Sequence, residues 1–256
     1  MLRATQLIGF GAAQAGGAVF SNTRSLEFSA SSSQYLSRSW GTGPTSTKAW
    51  TFSTWYKRTS ISAFQCLLSG GEASSNNDFG IRFTSGDALE VFNISGGSFN
   101  LRKVTNAAYT DITSWHHLVV AVDMDQSTSA NRVRIYHDGT EETSFAINTV
   151  PGSGTALAFQ SYNSTYFIGK LNYVASQYYD GALDETIFVD GQQLTPSAFA
   201  TSNRPKAYGG TYGNKGFRLR YEDNTNTTTL GADDSGNGNN WTLNSMSTGN
   251  STTSVP

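Results

Sequence analysis

The chain has little of what most enzymes and nucleic-acid binders rely on. It contains one cysteine, Cys66, in 256 residues. That excludes an intrachain disulfide, and no Cys/His spacing of the kind that frames a structural zinc accompanies it. Cys66 lies in the apolar run from Phe64 to Leu68 and reads as a small buried hydrophobe. Charged residues make up only 14% of the chain and the net charge is −2. With the lysines and arginines spread singly, neither nucleic-acid binding nor electrostatic anchoring to a membrane has a basis. The apolar stretch Met1–Phe20 is diluted by Thr5, Gln6, Gln14 and several glycines, which excludes a membrane span. Ala13-Gln14-Ala15 resembles a cleavage site, but the stretch as a whole reads as an arm or tether. No ten-residue window carries a helical period.

What is present is Gly, Ser, Thr and Asn, with 12% aromatic residues. This is the composition of short strands joined by frequent turns. Trp50, Phe52, Thr54 and Tyr56 alternate with Thr51, Ser53, Trp55 and Lys57. Phe79, Ile81 and Phe83 alternate with Gly80, Arg82 and Thr84. Trp115 to Asp123 is the most apolar segment and is expected to be a central strand. Val133 and Ile135 alternate before Asp138-Gly139, a pair that tolerates the positive φ of a tight hairpin. Tyr166–Leu171, Asp180–Val189 and Phe217–Glu222 continue the pattern. The spacing predicts one short helix, capped by Thr195, opened by Pro196 and running over Ser197–Ala200. About a dozen strands without alternating helices imply an all-β fold, an antiparallel β-sandwich. The expected division is an N-terminal arm over 1–22, the sandwich over 23–222, and a loosely held Asn/Thr/Gly-rich C-terminal tail over 223–256.

Three passages, in this order, resemble one family. They are Trp50-Thr51-Phe52-Ser53-Thr54-Trp55-Tyr56; then Ser114-Trp115-His116-His117-Leu118-Val119-Val120 with Arg134-Ile135-Tyr136-His137-Asp138-Gly139; then Tyr179-Asp180-Gly181-Ala182-Leu183-Asp184-Glu185 leading to Leu194-Thr195-Pro196. The order is similar to the laminin-G-like and pentraxin-like branch of the concanavalin A-like lectin/glucanase superfamily, over roughly Ser25 to Ala200. The resemblance implies a jelly roll with a lectin-like surface. The segment Asp234-Ser235-Gly236-Asn237-Gly238-Asn239-Asn240-Trp241 resembles endings of proteins encoded by tailed phages of aquatic bacteria. In ordinary family members a D-x-S-G-N-G-N segment opens the domain; here, near the end, it either begins a further strand or belongs to a further module. That likeness implies a structural protein on the outside of a bacteriophage virion, a capsid decoration or tail-fibre subunit. Its expected partners are other virion proteins, further copies of itself and host surface glycans. The alternative reading is a glycan-active enzyme or a secreted carbohydrate-binding module.

Glucanases of this fold carry a Glu-x-Asp-x-x-Glu strand, which places an acid and a nucleophile on one face. No such pattern occurs here. Asp184 and Glu185 are adjacent and on a regular strand would face opposite ways, so the chain reads as a non-enzyme. His116 and His117 are likewise adjacent, and His116, His117 and His137 read as structural. The expected glycan-binding residues are Tyr162, Asn163, Tyr166, Asn172, Tyr173 and Tyr178, where amphipathic rings alternate with amide side chains. By the same alternation, half of these tyrosines would face the core. Trp50, Trp55 and Trp115 read as core. No cofactor is required. Calcium is the cation the acidic loops suit, with Asp180 and Asp184 as its expected ligands and Asp123, Asp125 and the Asp233/Asp234 loop with Asn237 as other candidates. All of these residues also serve simply as turn formers.

Overall fold

The computed structural model describes residues 22–72, 75–161 and 165–256. Nearly all of the expected N-terminal arm, residues 1–21, lies outside the described residues. The strands, in chain order, are β1 (Ser25–Phe28), β2 (Tyr35–Ser39), β3 (Ala49–Arg58), β4 (Gln65–Gly71), β5 (Asp78–Phe83), β6 (Ala88–Ser95), β7 (Ser98–Ala108), β8 (His116–Asp123) and β9 (Val133–His137). They continue as β10 (Thr140–Glu141), β11 (Phe145–Thr149), β12 (Thr165–Ile168), β13 (Gly181–Asp190), β14 (Ala200–Thr201), β15 (Arg204–Pro205), β16 (Phe217–Leu219), β17 (Thr242–Asn244) and β18 (Ser251–Thr252). One sheet runs β10-β9-β8-β3-β13-β1-β18, with β16 pairing β13; the other runs β11-β7-β6-β5-β4-β12-β2-β17. All pairs are antiparallel. The all-β sandwich is the predicted architecture.

The core forms because alternation delivers one apolar set per strand to the space between the sheets. Trp50, Phe52 and Tyr56 of β3, Leu118, Val120 and Val122 of β8, and Phe79, Ile81 and Phe83 of β5 belong to one buried cluster. Trp50 is fully buried. Its ring meets Phe79 at 5.1 Å and 88°, Phe188 at 5.6 Å and Phe159 at 5.7 Å. β8 is buried on both faces. Val119 and Ala121 look outward into a second cluster with Tyr136, Ile187, Val189, Phe199 and Tyr212. The chain after β13 therefore lies across the outside of the first sheet, and this explains why β8 is the most apolar segment of the sequence. Cys66 is buried and unpaired, and burial pushes its thiol well above the usual range.

Two local expectations change. The helix expected at Thr195 shrinks to one 3₁₀ turn, Pro196–Ala198, because the Thr195 side chain makes no cap and instead pairs with Ser197 Oγ at 3.0 Å. The chain then returns to extended structure at β14. Short helices form at Ala158–Ser161 and Thr227–Leu230 instead; the second is capped by Asn226, whose side chain accepts from Thr228 N and Thr229 N.

The segment 223–256 is not loosely held. β17 pairs β2, and β18 pairs β1, so this segment adds an edge strand to each sheet. Leu230 and Trp241 are buried in the main core. The Asp-Ser-Gly-Asn-Gly-Asn turn between them acts as a clasp. Asp233 accepts from the backbone N–H of Arg218, Ser235 and Asn239. Asn237 and Asn239 donate to Gly216 O, at 2.9 and 2.7 Å. Gly236 and Gly238 hold φ of 89° and 69°, which glycine adopts without strain. A composition that reads as linker is here a hydrogen-bonded turn whose polar side chains replace water as partners for the main chain.

Candidate functional site

The β9–β10 hairpin turns at Asp138 and Gly139, with φ of 48° and 80°. Asp138 accepts His117 N at Oδ1, 2.8 Å away. On the outer face of the first sheet, Trp55 and His117 are cross-strand partners, with their rings stacked at 4.8 Å and 14°. His117 Nε2 bonds Ser53 Oγ at 2.8 Å, and burial pushes its imidazole down to about 4, so it is neutral at neutral pH. The opposite wall is the covering segment, pinned by Phe199 in the outer cluster. Its β14–β15 hairpin turns at Ser202 and Asn203, both with positive φ and both exposed.

Between the walls lies a cleft of about 410 Å³. Trp55, Trp115, His117 and Asp138 form one side; Pro196, Ser197, Ser202 and Asn203 form the other. Its volume is in the range of small-ligand sites, roughly 300–1,000 Å³. Trp115 is half-buried, so part of its indole is free to cover a ligand.

Beside this cleft, whose lining includes His116 and Asp138, the side chains of His116, His137 and Asp138 converge. One ligand atom from each lies within 4.8 Å of the others. His116 Nδ1 is 2.7 Å from Asp138 Oδ2. This hydrogen bond is the main reason the His116 imidazole sits above its ordinary value, while burial pushes His137 down. His137 Nε2 bonds Tyr56 Oη at 2.8 Å.

The model of the concanavalin A-like lectin/glucanases superfamily, in its laminin-G form, matches residues 29–200, more than half of the sequence. The chain belongs to the concanavalin A-like lectin/glucanase superfamily. Among solved structures it is similar to a protein of Bacteroides ovatus named as a candidate carbohydrate binding protein, with a TM-score of 0.58 and 14% identity, over 91% of this chain and 60% of that one. It thus spans less than two thirds of that protein. It is also similar to the heptameric SAP-like pentraxin of Limulus polyphemus (TM-score 0.45, 14% identity, 67% of this chain and 76% of that one). A third is the CBM40 of the Ruminococcus gnavus IT-sialidase (TM-score 0.48, 13% identity, 68% and 92%). No curated protein matches the chain.

Within this lectin-like sandwich the expected glycan-binding residues do not form one surface. Tyr162 and Asn163 lie outside the described residues. Tyr166 is fully buried, stacked on Phe159 at 4.2 Å, because its place on β12 points inward. Asn172 is consumed by the loop before β13, donating to Glu72 O and Asp78 Oδ1. Tyr173 packs on the outer face of the second sheet with Cys66, Phe92, Ile94 and Leu171. Tyr178 leans on Tyr35, with centroids 6.2 Å apart. Tyr173 and Tyr178 remain half-buried. Among the described residues of this set they are the pair that keeps ring surface available.

The expected calcium pair also separates. Asp180 accepts Ala30 N at 3.1 Å. Asp184 is fully buried in β13 and accepts Glu185 N at 2.7 Å. Four positions along an extended chain are about 13 Å, too far for one ion. A bulge follows Asp184, with Glu185 at φ 42°, so both adjacent acids are buried; Glu185 takes two hydrogen bonds from Arg218. Asp123 accepts Asp125 N and Gln126 Nε2, the turn-forming role. Sequence reasoning missed the cleft because its walls come from three separate stretches, at Trp55, at Trp115 to Gly139 and at Pro196 to Asn203. The legible signal was Trp115 directly before the paired histidines.

Asp78, which holds Asn172, is fully buried with Oδ2 unpartnered among the described residues. Burial pushes its carboxyl up to about 8, against the opposing pull of the Asn172 hydrogen bond. In the unfolded chain it ionises near pH ~4. Between about pH 4 and pH 8 the folded state keeps a proton that the unfolded state has lost, so this group's contribution to stability falls as pH rises across that window. Asp78→Asn removes the titration. Urea unfolding is expected to show the variant gaining stability relative to the native protein from pH 4 to pH 8; a pH-independent difference contradicts the assignment.

Proposed function

We propose that this domain is a carbohydrate-binding module that takes one or two sugar residues in the cleft beside Trp115. The observation that carries this reading is the pairing of a partly free indole with hydroxyl and amide side chains on the facing hairpin. Sugars combine apolar C–H faces with hydroxyl edges. An aromatic plane answers the first; Ser197, Ser202, Asn203 and Asp138 answer the second. The name of the Bacteroides protein fits such a role. Hydrolysis is disfavoured because it calls for two carboxylates about 5–9.5 Å apart. Asp138 is the one carboxylate in the lining, and it is engaged with His116 and His117.

The virion setting rests on the likeness of the Asp234–Trp241 segment. That segment has a sufficient structural role as the clasp of the C-terminal edge strands, so the carbohydrate-binding module of a surface or secreted protein takes first place over a capsid or tail component. Attachment to host glycans from a phage particle is the narrower form of the same binding function.

Trp115→Ala tests the reading. After a glycan array has found a ligand for the native protein, calorimetry is expected to show at least a tenfold loss of affinity, about 1.4 kcal/mol, with an unchanged far-ultraviolet spectrum. Tyr173→Ala, on the other sheet, is expected to bind normally. The reverse pattern would move the site to the second sheet.

A further inference from the structure

We infer that His116 Nδ1, His137 Nδ1 and Asp138 Oδ2 form a binding site for one divalent cation of the zinc class. Two of the three ligand pairs are spaced close to what such an ion needs, and one ligand atom from each residue lies within 4.8 Å of the others. His137 Nδ1 lies 3.5 Å from Asp138 Oδ2, and the edge of a tetrahedron with zinc–ligand bonds near 2.0–2.1 Å is about 3.3 Å. His116 Nδ1 lies 2.7 Å from the same oxygen, held there by a hydrogen bond. It has to open by about 0.6 Å to the same edge when an ion takes the proton's place.

The remaining nitrogen of His137 is already occupied in the way a ligating imidazole requires. A metal-bound histidine donates its other N–H to an oxygen acceptor, which sets the tautomer and the ring orientation. His137 Nε2 is 2.8 Å from Tyr56 Oη, and His116 Nε2 is 3.4 Å from Asp111 Oδ2. Both imidazoles thus turn Nδ1 towards one carboxylate oxygen, and the Tyr56 hydroxyl orients the His137 ring. The backbone fixes that carboxylate: Asp138 sits in the left-handed region with Oδ1 bound to His117 N, which leaves Oδ2 for the ion. The scaffold is rigid, since His116 pairs Tyr56 across β3 and β8, and His137 pairs Leu118 across β8 and β9.

Access exists as well. A second cleft of about 250 Å³, lined by Ala108, Tyr109, Thr110, Asp111, His116 and His137, opens on the cluster. Three protein ligands with an open side leave the fourth position to water or an incoming group. Two imidazoles and one carboxylate select zinc, nickel or copper. Calcium prefers six to eight oxygens, so the cation differs from the one expected of the acidic loops. The site adjoins the sugar-binding cleft, which His116 and Asp138 also line, but the inference does not rest on sugar binding.

The test uses the untagged full chain, stripped with a chelator and titrated with zinc chloride by calorimetry, with calcium chloride in parallel. One zinc per chain is expected, with no saturable calcium at this cluster. His116→Gln and His137→Gln should each weaken zinc binding at least tenfold, and Tyr56→Phe about tenfold through the lost orienting bond. Should a glutamine variant fail to fold, nitrogen-15 spectra of the native protein decide. Zinc is expected to shift Nδ1 of His116 and His137 while Nε2 stays protonated and His117 is unmoved. Absence of saturable zinc, unchanged affinity in folded glutamine variants, or a zinc-induced shift centred on His117 would overturn the inference.

Discussion

Asp190→Ala is expected to lower the unfolding free energy by about 4–6 kcal/mol, the largest effect of any single substitution considered for this protein. Asp190 ends β13 and is almost completely buried. Its two oxygens accept four hydrogen bonds: Thr45 N at 2.6 Å, Ser46 N at 3.2 Å, Gln160 Nε2 at 2.9 Å and Lys215 N at 3.0 Å. These donors come from the loop before β3, the short helix after β11 and the loop before β16. One carboxylate thus ties three separate connections to the end of the central strand. Alanine removes the acceptor of all four donors; the bonds from Gln160 and Lys215 are buried, while Thr45 is exposed and Ser46 half-buried. Each orphaned buried donor costs about 1–3 kcal/mol, and part of that is recovered by relaxation. Asp190→Asn keeps one acceptor oxygen and is expected to lose about half as much. Urea unfolding followed by tryptophan fluorescence reads both. A loss below about 2 kcal/mol for alanine would mean that the four donors find other partners and that Asp190 is no junction.

Trp241→Ala is expected to cost about 3–5 kcal/mol and to lower the melting temperature by roughly 10 °C. The indole is buried in the main core, edge-on to Phe217 at 4.9 Å. Its backbone N–H donates to Gly231 O at 2.8 Å. At Gly231 a side chain would collide with Trp241 O, since an added Cβ would lie 2.2 Å from it. The effect exceeds what a surface arm could produce, because truncation opens a cavity under the clasp as well as removing apolar burial. Scanning calorimetry gives the shift, and limited proteolysis gives the location. New cleavage is expected between residues 223 and 256 before the sandwich is cut elsewhere. A melting temperature within about 2 °C of the native protein would return the segment to the status of an appendage.

The contrast between Trp241 and Trp50 shows where sequence reading stops. Trp50 sits in an alternating run, so its burial follows from period two alone. Trp241 stands alone among Asn, Gly, Ser and Thr, and nothing local distinguishes a linker from a clasp. The difference lies in Gly216 O and Arg218 N, 23 and 15 residues from the side chains of the turn that satisfy them. The tyrosines of the 162–179 stretch show the same limit from the other side. Composition suggested a platform, but strand register put Tyr166 inside and left Tyr173 and Tyr178 over different neighbours.

The histidines make the division clearest. Adjacency on a strand correctly separates His116 from His117: one faces the interior end, and the other stacks on Trp55 outside. It says nothing of His137, which the β8–β9 pairing brings beside His116, with ring centroids 5.0 Å apart. By itself the sequence determined the sandwich, its inward aromatic faces and the hairpin at Asp138-Gly139, because each follows from alternation and local turn chemistry. Only the tertiary structure decided the cleft at Trp115, the cluster at Asp138 and the docking of the C-terminal segment. Each of these depends on which distant strands are neighbours, and local sequence preferences carry no information about that choice.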